Sequence, residues 1–471
     1  MSEKKVVANN ILYLTIAELT GRILQFFFYK HISTALGTEA FGAYSWATTN
    51  VMYFFIIVGA GLDIFGIREI SKNKEKINYY SNVILSLRIV LSVVAFFTLF
   101  IYAFYITDKS LEIKLLLVVA GVRLFGDAIL PNWIYQAIEK MGYLAIRNFL
   151  FNFLNLILAY LLVKTPADTI YATGLLSFNL IITSIILLFH FNYKFIKIQF
   201  IFNLKDYWDF LKKSIPIGLS IQIIIFYNFA DILMLGFLRE NFEYEVGIYS
   251  AAMRIIMIST LPNQILQQSF FPKFANDDIY NKDSYFNKYT ILTVVSGSFL
   301  TAIIIAYSEA IIQIQFSELY FESSILLKIL ALKLFLSYLS VTFSSPFLAK
   351  NNENIVLKVV GFAFVLNIIL NYLTIPVYGI YGAAFSTIFC EVIISLLFYY
   401  QLYKKYNLIN YKPLVYGIVV MIGVLIIYFI TNNILNFNVY LSFIFSIFTF
   451  LFITIVSKVV TIQELKAIVK R

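Results

Sequence analysis

Ionisable side chains inside long apolar runs are where this sequence could do chemistry. A charge near the bilayer centre costs at least about 2.5 to 3.5 kcal/mol on insertion scales, so it normally faces a cavity or a partner. The residues concerned are Glu18 and Arg22, Arg123 and Asp127, Asp231, Arg254, Lys333 and Glu391. Each arginine offers a planar, permanently charged fork of donors suited to paired hydrogen bonds with phosphate or carboxylate oxygens. Arg22 falls near mid-depth of the first apolar run and Arg254 about two turns inside the eighth, so both are candidates to face a central cavity. Local neutralisation competes with that reading. Glu18 and Arg22, like Arg123 and Asp127, are spaced to share one helix face as i, i+4 pairs.

Asp231 and Arg254 lie at similar distances from a turn near Phe242. A salt bridge across that hairpin and contact with a substrate are both open for Asp231. Glu391 either exchanges a proton in an ion-driven cycle or is a plain hydrogen-bonded carboxyl, the commoner case. Lys333, a minor candidate, sits where its stem could carry the ammonium toward the outer surface. Asn228, Gln222, Gln264, Asn367 and Asn371 could meet polar groups of a cargo, although hydrogen bonds between helices are the usual role of amides within spans.

Other chemistries lack their parts. His31 and His190 are the only histidines and stand at opposite ends of their runs, which gives neither a metal site nor a histidine-centred triad. The single cysteine, Cys390, cannot form an intramolecular disulfide. No G-x-x-x-x-G-K-[ST] loop is present. The expectation is therefore of no catalytic residue, no metal and no cofactor.

The elements that position these residues are membrane spans. Of 471 residues, 61% are hydrophobic and only 13% charged, and the mean hydropathy is +0.83. Apolar runs of about 20 residues, each long enough for a hydrocarbon core of about 30 Å, recur from end to end. Length and breakers place helices near 10–29, 42–64, 82–105, 112–136, 146–163, 170–192, 213–237, 247–271, 289–308, 325–349, 355–375, 380–402, 413–431 and 438–457. With the amino terminus inside, most of the 36 lysines and arginines, including Arg68, Arg88, Lys140 and Arg147, fall on the cytoplasmic side. That bias predicts a multi-pass protein of the cytoplasmic membrane with both termini in the cytoplasm. It also accounts for the +10 charge through anionic lipid headgroups, with no nucleic-acid partner.

A polar connection around Asn192 to Lys213 reads as a bridge between two halves. The element G-x-Y-S occurs as Gly42-Ala-Tyr44-Ser45 and as Gly247-Ile-Tyr249-Ser250. An even number of spans between the copies gives them one orientation, implying parallel repeats about a central cavity. The expected organisation is an all-α polytopic membrane protein of about fourteen transmembrane helices. It has an amino-terminal lobe over 1–200, a second six-helix lobe over 201–405, and two carboxyl-terminal helices with a tail over 406–471.

Longer signatures carry a family likeness. Ala35-Leu36-Gly37 is followed by Phe41-Gly42-Ala43-Tyr44, then by Gly61-Leu62-Asp63 and Gly66-Ile67-Arg68-Glu69. In the second half, Pro216, Asp231 to Gly236, and Val246 to Ala252 lead into Arg254. Asn367, Asn371, Ile375-Pro376, Tyr378-Gly379-Ile380 and Gly382-Ala383-Ala384 follow. The chain thus resembles the multidrug/oligosaccharidyl-lipid/polysaccharide exporter superfamily, specifically its Wzx-type polysaccharide flippase branch, from about residue 10 to residue 405.

The resemblance implies a flippase that carries a polyprenyl-diphosphate-linked oligosaccharide from the cytoplasmic to the outer leaflet by alternating access, for O-antigen or capsule synthesis. Arg22, Arg254, Arg123, Asp231, Asn228 and Lys333 are then the substrate-binding candidates, with Glu18, Asp127 and Glu391 in coupling or pairing. The implied partners are the lipid-linked oligosaccharide, membrane lipids, and the polymerase and glycosyltransferases of the same pathway. Two alternatives stand beside it. An ion-coupled multidrug or metabolite exporter of the same superfamily fits less well with three central arginines. A membrane glycosyltransferase or polymerase would need a large external loop bearing catalytic groups.

Overall fold

The computed structural model describes residues 3–274, 285–406 and 411–457, apart from the side chains of 3–18, Ser220 and Ile221. The described residues form helices and no strand. In chain order the helices are α1 (Glu3–Gly59), α2 (Leu62–Lys72), α3 (Ile77–Ile101), α4 (Leu111–Gly121), α5 (Arg123–Ala128), α6 (Asn132–Ala137), α7 (Met141–Leu162) and α8 (Thr169–Lys194). Then follow α9 (Leu204–Leu238), α10 (Phe242–Ser259), α11 (Leu261–Phe274), α12 (Tyr285–Gln315), α13 (Phe321–Ala349), α14 (Glu353–Tyr406), α15 (Lys412–Phe429) and α16 (Val439–Val456). Among the described residues, 9 helices are long and apolar enough to cross a membrane, and α9 taken across its bend makes 10. This is the all-α polytopic membrane fold that the apolar runs predict.

The helices divide the spans differently from the expected list. α1 and α14 each hold two expected spans, joined through a single non-helical residue, Gly37 (φ 70°, ψ −178°) and Gly379 (φ 54°, ψ −131°). Around Gly37 the chain lacks other breakers, and Ala35, Leu36, Glu39 and Ala40 keep the backbone helical on both sides. The expected span 112–136 is three short helices, interrupted at Val122 and before Pro131. The expected span 247–271 is α10 and α11, which part at Thr260 just before Pro262, a residue at home in a first helical turn. The expected bridge is half helical: Asn203 caps α9 through the backbone N–H groups of Lys205 and Asp206. Its extended first half is tied to α3, where Asn82 Oδ1 and Ser86 Oγ accept from the N–H groups of Gln199 and Ile201 at 3.0 and 2.9 Å.

The backbone separates into two compact units, Met1–Gly247 and Ile248–Arg471. In the first, a buried cluster around Leu62, Phe65, Ile84, Trp133 and Phe191 packs α2, α3, α6 and α8 together. α1 meets the start of α10 without intervening side chains. A Cβ added to Gly42 would stand 1.6 Å from the Glu243 carbonyl oxygen, and one added to Gly247 would stand 2.1 Å from that of Thr38. The glycines of the two G-x-Y-S copies thus permit a reciprocal approach, each meeting the carbonyl four residues before the other. In the second unit, hydroxyl pairs such as Thr342 with Thr293 (2.8 Å) and Tyr307 with Ser446 (2.8 Å) join packed helices.

Candidate substrate-binding site

Arg88 organises the polar interior of the first unit. It lies in α3 and is 1% exposed. Asp63 stands in the first turn of α2, which starts after the left-handed Gly61 (φ 76°), and Asp127 is near the end of α5. One terminal nitrogen of Arg88 donates to Asp63 Oδ1, and the other donates to Asp127 Oδ2 at 2.9 Å and to the Asp127 carbonyl at 2.7 Å. These charge-assisted bonds neutralise a guanidinium that water does not reach. Two expectations change accordingly. Arg88 is a buried tie between three helices and no cytoplasmic surface charge, and Asp127 gives its carboxylate to Arg88 instead of to Arg123 one turn back.

Arg123 is left with weaker company. Its guanidinium lies 5.6 Å from the Phe55 ring centroid, and its buried Nε has no hydrogen-bond partner. Arg147, in the second turn of α7 and 9% exposed, donates from Nη1 to Asn148 Oδ1 at 3.0 Å and lies 5.1 Å from the Phe151 ring. Its Nε and Nη2 are buried without partners. Arg123, Asp127 and Arg147 line one cavity of about 330 Å³, together with Phe55, Phe151 and Leu180. With Arg88 and Asp63 the cluster holds three guanidiniums against two carboxylates. Donor atoms remain over and one positive charge is unbalanced, which suits an anionic oxygen group. The sequence reading counts Arg88 and Arg147 among the charges of the cytoplasmic side and gives them no part in a site. Their signal was position alone, since both fall inside the edges of apolar runs.

The other candidates are distributed between the units. Arg22 is half-buried on the early part of α1, whose Gln25 donates to Asn152 Oδ1 of α7 at 3.1 Å. The side chain of Glu18 lies outside the described residues. Asn228 donates to the Ile224 carbonyl of its own helix at 2.8 Å, and Asp231 is buried in α9. In the second unit Arg254 is half-buried on α10. Lys333 is 5% exposed with its Nζ 3.8 Å from Met253 Sδ, so its ammonium turns inward and does not reach the outer surface. Glu391, also buried, accepts from Ser340 Oγ at 3.4 Å, and Asn371 donates to Asn367 Oδ1 at 3.1 Å within α14. The structure therefore gathers Arg123 and Asp127 with Arg88 and Arg147, and sets Arg254, Lys333 and Glu391 in the other unit.

A family model described as polysaccharide biosynthesis protein matches residues 7–276, more than half of the chain. The chain belongs to this family. Capsular polysaccharide biosynthesis protein CapF of Staphylococcus aureus is 25% identical to this family member over 409 residues, covering 85% of the chain and 100% of CapF. A Shigella dysenteriae protein provisionally named an O-antigen transporter is 21% identical over 390 residues, covering 82% of the chain and 98% of its own length. The solved structure of lipid II flippase MurJ in an inward closed conformation superposes with a TM-score of 0.77 at 18% identity, covering 94% of the chain and 98% of MurJ. That likeness is one of fold. The chain thus shares the helical architecture of that structure and spans 98 to 100% of these two curated relatives.

Proposed function

We propose that this polysaccharide biosynthesis protein flips a lipid-linked oligosaccharide from the cytoplasmic to the outer leaflet of the cytoplasmic membrane by alternating access. One observation carries the reading: the cavity beside Asp127 that Arg123 and Arg147 line, two arginines whose guanidiniums carry buried nitrogens without a protein hydrogen-bond partner. A polyprenyl diphosphate supplies anionic oxygens for two such forks. Family membership and the names of the relatives point to the same class of cargo. The distribution of lysines supports cytoplasmic termini. Glycosyltransferases that build the glycan inside and a polymerase that uses it outside are the partners this task requires, and the chain itself performs no covalent step. Arg22, in the first unit, and Arg254, in the second, are further candidates for contact with the anionic group.

The test is display of surface glycan in cells whose only copy is Arg123→Gln/Arg147→Gln. Loss of two charge-assisted contacts at about 2 to 5 kcal/mol each, about 4 kcal/mol together at the low end, predicts at least a roughly 800-fold fall in display, with protein abundance unchanged and lipid-linked intermediate building up inside. Arg22→Ala and Arg254→Ala are expected to lower display as well. Undiminished display in the double glutamine variant overturns the reading.

A further inference from the structure

Arg147 faces two spaces. Besides the cavity shared with Arg123, it lines a second hollow of about 270 Å³ between α7 and α8, whose other walls include Tyr143, Ile146, Leu150, Ile186 and Leu187. The lips of this hollow are on the outside of the helix pair: Ile146 is 59% and Ile186 50% exposed. Its walls are mostly apolar, aliphatic side chains standing beside Tyr143, Thr183 and His190, and the charged side chain among them is the buried Arg147, whose Nε and Nη2 have no hydrogen-bond partner. One end is a fixed polar rim. Lys194 Nζ donates to Tyr143 Oη at 2.6 Å, the His190 ring lies 4.4 Å from that of Tyr143, and Tyr135 Oη meets His190 Nδ1 at 2.6 Å.

The geometry points to a lateral groove in which α7 and α8 hold the first part of the substrate's polyprenyl tail while its diphosphate reaches past Arg147 toward Arg123. The inference rests on the flippase reading above and adds to it where the lipid leaves the bilayer. Three features select this occupant. The hollow is lined mainly by apolar side chains, which give a sugar's hydroxyls few partners and suit a hydrocarbon chain. Apolar walls open toward lipid keep such a chain in surroundings like those it came from. A cation on the floor, shared with the neighbouring cavity, matches a lipid whose anionic group joins its chain directly and must continue inward. A phospholipid would fill the same walls but would gain nothing from the second cavity.

The experiment uses the full chain in phosphatidylcholine nanodiscs and a polyprenyl diphosphate carrying a diazirine on the isoprene unit next to the diphosphate. Crosslinks are expected on the segments 141–162 and 169–194, at Ile146 and Ile186 above all, and excess unlabelled polyprenyl diphosphate should remove them while phosphatidylglycerol should not. Leu150→Trp, which fills the groove, is expected to cut this labelling at least five-fold. Ile186→Trp, on the exposed lip, serves as a second variant whose folding is under less threat and should cut it in the same direction. Competed labelling that falls elsewhere in the chain, or unchanged labelling in both tryptophan variants, overturns the groove and leaves the flippase reading standing. Labelling that phosphatidylglycerol removes equally well marks a structural lipid and also overturns the groove. No labelling competed by polyprenyl diphosphate anywhere overturns both.

Discussion

Arg88 and Arg147 are both buried arginines of the first unit, and their opposite circumstances predict opposite outcomes when each is replaced by methionine. Arg88 makes three hydrogen bonds, two to carboxylates and one to a carbonyl. Bonds involving charged groups contribute about 1.5 to 3 kcal/mol each, and removing one partner of a buried pair costs about 3 to 5 kcal/mol. The Asp63 and Asp127 side chains remain 46% and 28% exposed, so solvent recovers part of what their carboxylates lose, and the lower end applies. Arg88→Met should therefore cost about 3 kcal/mol, or about 150-fold in the folding equilibrium. Arg147 makes one side-chain hydrogen bond and carries two buried nitrogens without partners. Its replacement by a flexible apolar side chain removes a desolvated charge and should change stability by less than about 1 kcal/mol, in either direction. Equilibrium unfolding in mixed micelles, followed by tryptophan fluorescence, measures both. If Arg147→Met destabilised as much as Arg88→Met, Arg147 would be a structural tie and the division of labour drawn above would be wrong. In glycan display Arg147→Met should lose the signal with a sound fold and normal abundance, whereas any loss in Arg88→Met should follow its lowered abundance.

Further expectations concern backbone contact and pH. Gly42→Ala places a Cβ 1.6 Å from a backbone oxygen that no side-chain rotation can move, so α1 and α10 must separate. Overpacking commonly costs about 1 to 3 kcal/mol, and a backbone clash belongs at the upper end; the yield of monodisperse protein and its unfolding midpoint should fall, and wild-type values for both would contradict the close approach. Glu69, outside the spans, accepts a hydrogen bond from Lys72 at 2.8 Å that holds its carboxyl below the usual value of 4.5. Because the folded value is depressed, the contribution is fully present above about pH 4.5 and fades as pH falls through the lowered value. The stability difference between wild type and Glu69→Gln should thus shrink on acidification, and a difference that grows instead would contradict the pairing.

Length and hydropathy were enough to read the all-helical membrane fold, because a span must satisfy its own backbone and advertises itself as a long apolar run. Where helices break was harder to read. Pro131 and Pro262 interrupt stretches whose hydropathy is continuous, while the segment 35–41, expected as a connection, stays helical on either side of Gly37 because most of its residues favour helix. Arg123 and Asp127 were legible as polar groups in the interior, and their spacing suggested a local pair. That suggestion failed because Asp127 had a better partner from a distant helix, and sequence spacing reports neighbours along one helix only. Arg88 and Arg147 were misplaced for a related reason. Position along a span gives depth, but which way a side chain points around the helix axis, and hence whether it meets lipid, water or an acid, depends on packing. The function itself was legible through motifs of glycine and aromatic residues more than through charges.

The acid-base-acid order of Asp63, Arg88 and Asp127 along the chain has a consequence for biogenesis. Synthesis proceeds from the amino terminus, so the nascent chain delivers a carboxylate, then the guanidinium that cancels it, and only later a second acid to a site already occupied by a cation. Each charge after the first arrives in the membrane to find its counter-ion waiting. Asp63 and Asp127 accordingly never meet in the first unit without the guanidinium that ties them, and a variant with Arg88 missing should stall or be degraded at the point where Asp127 joins Asp63.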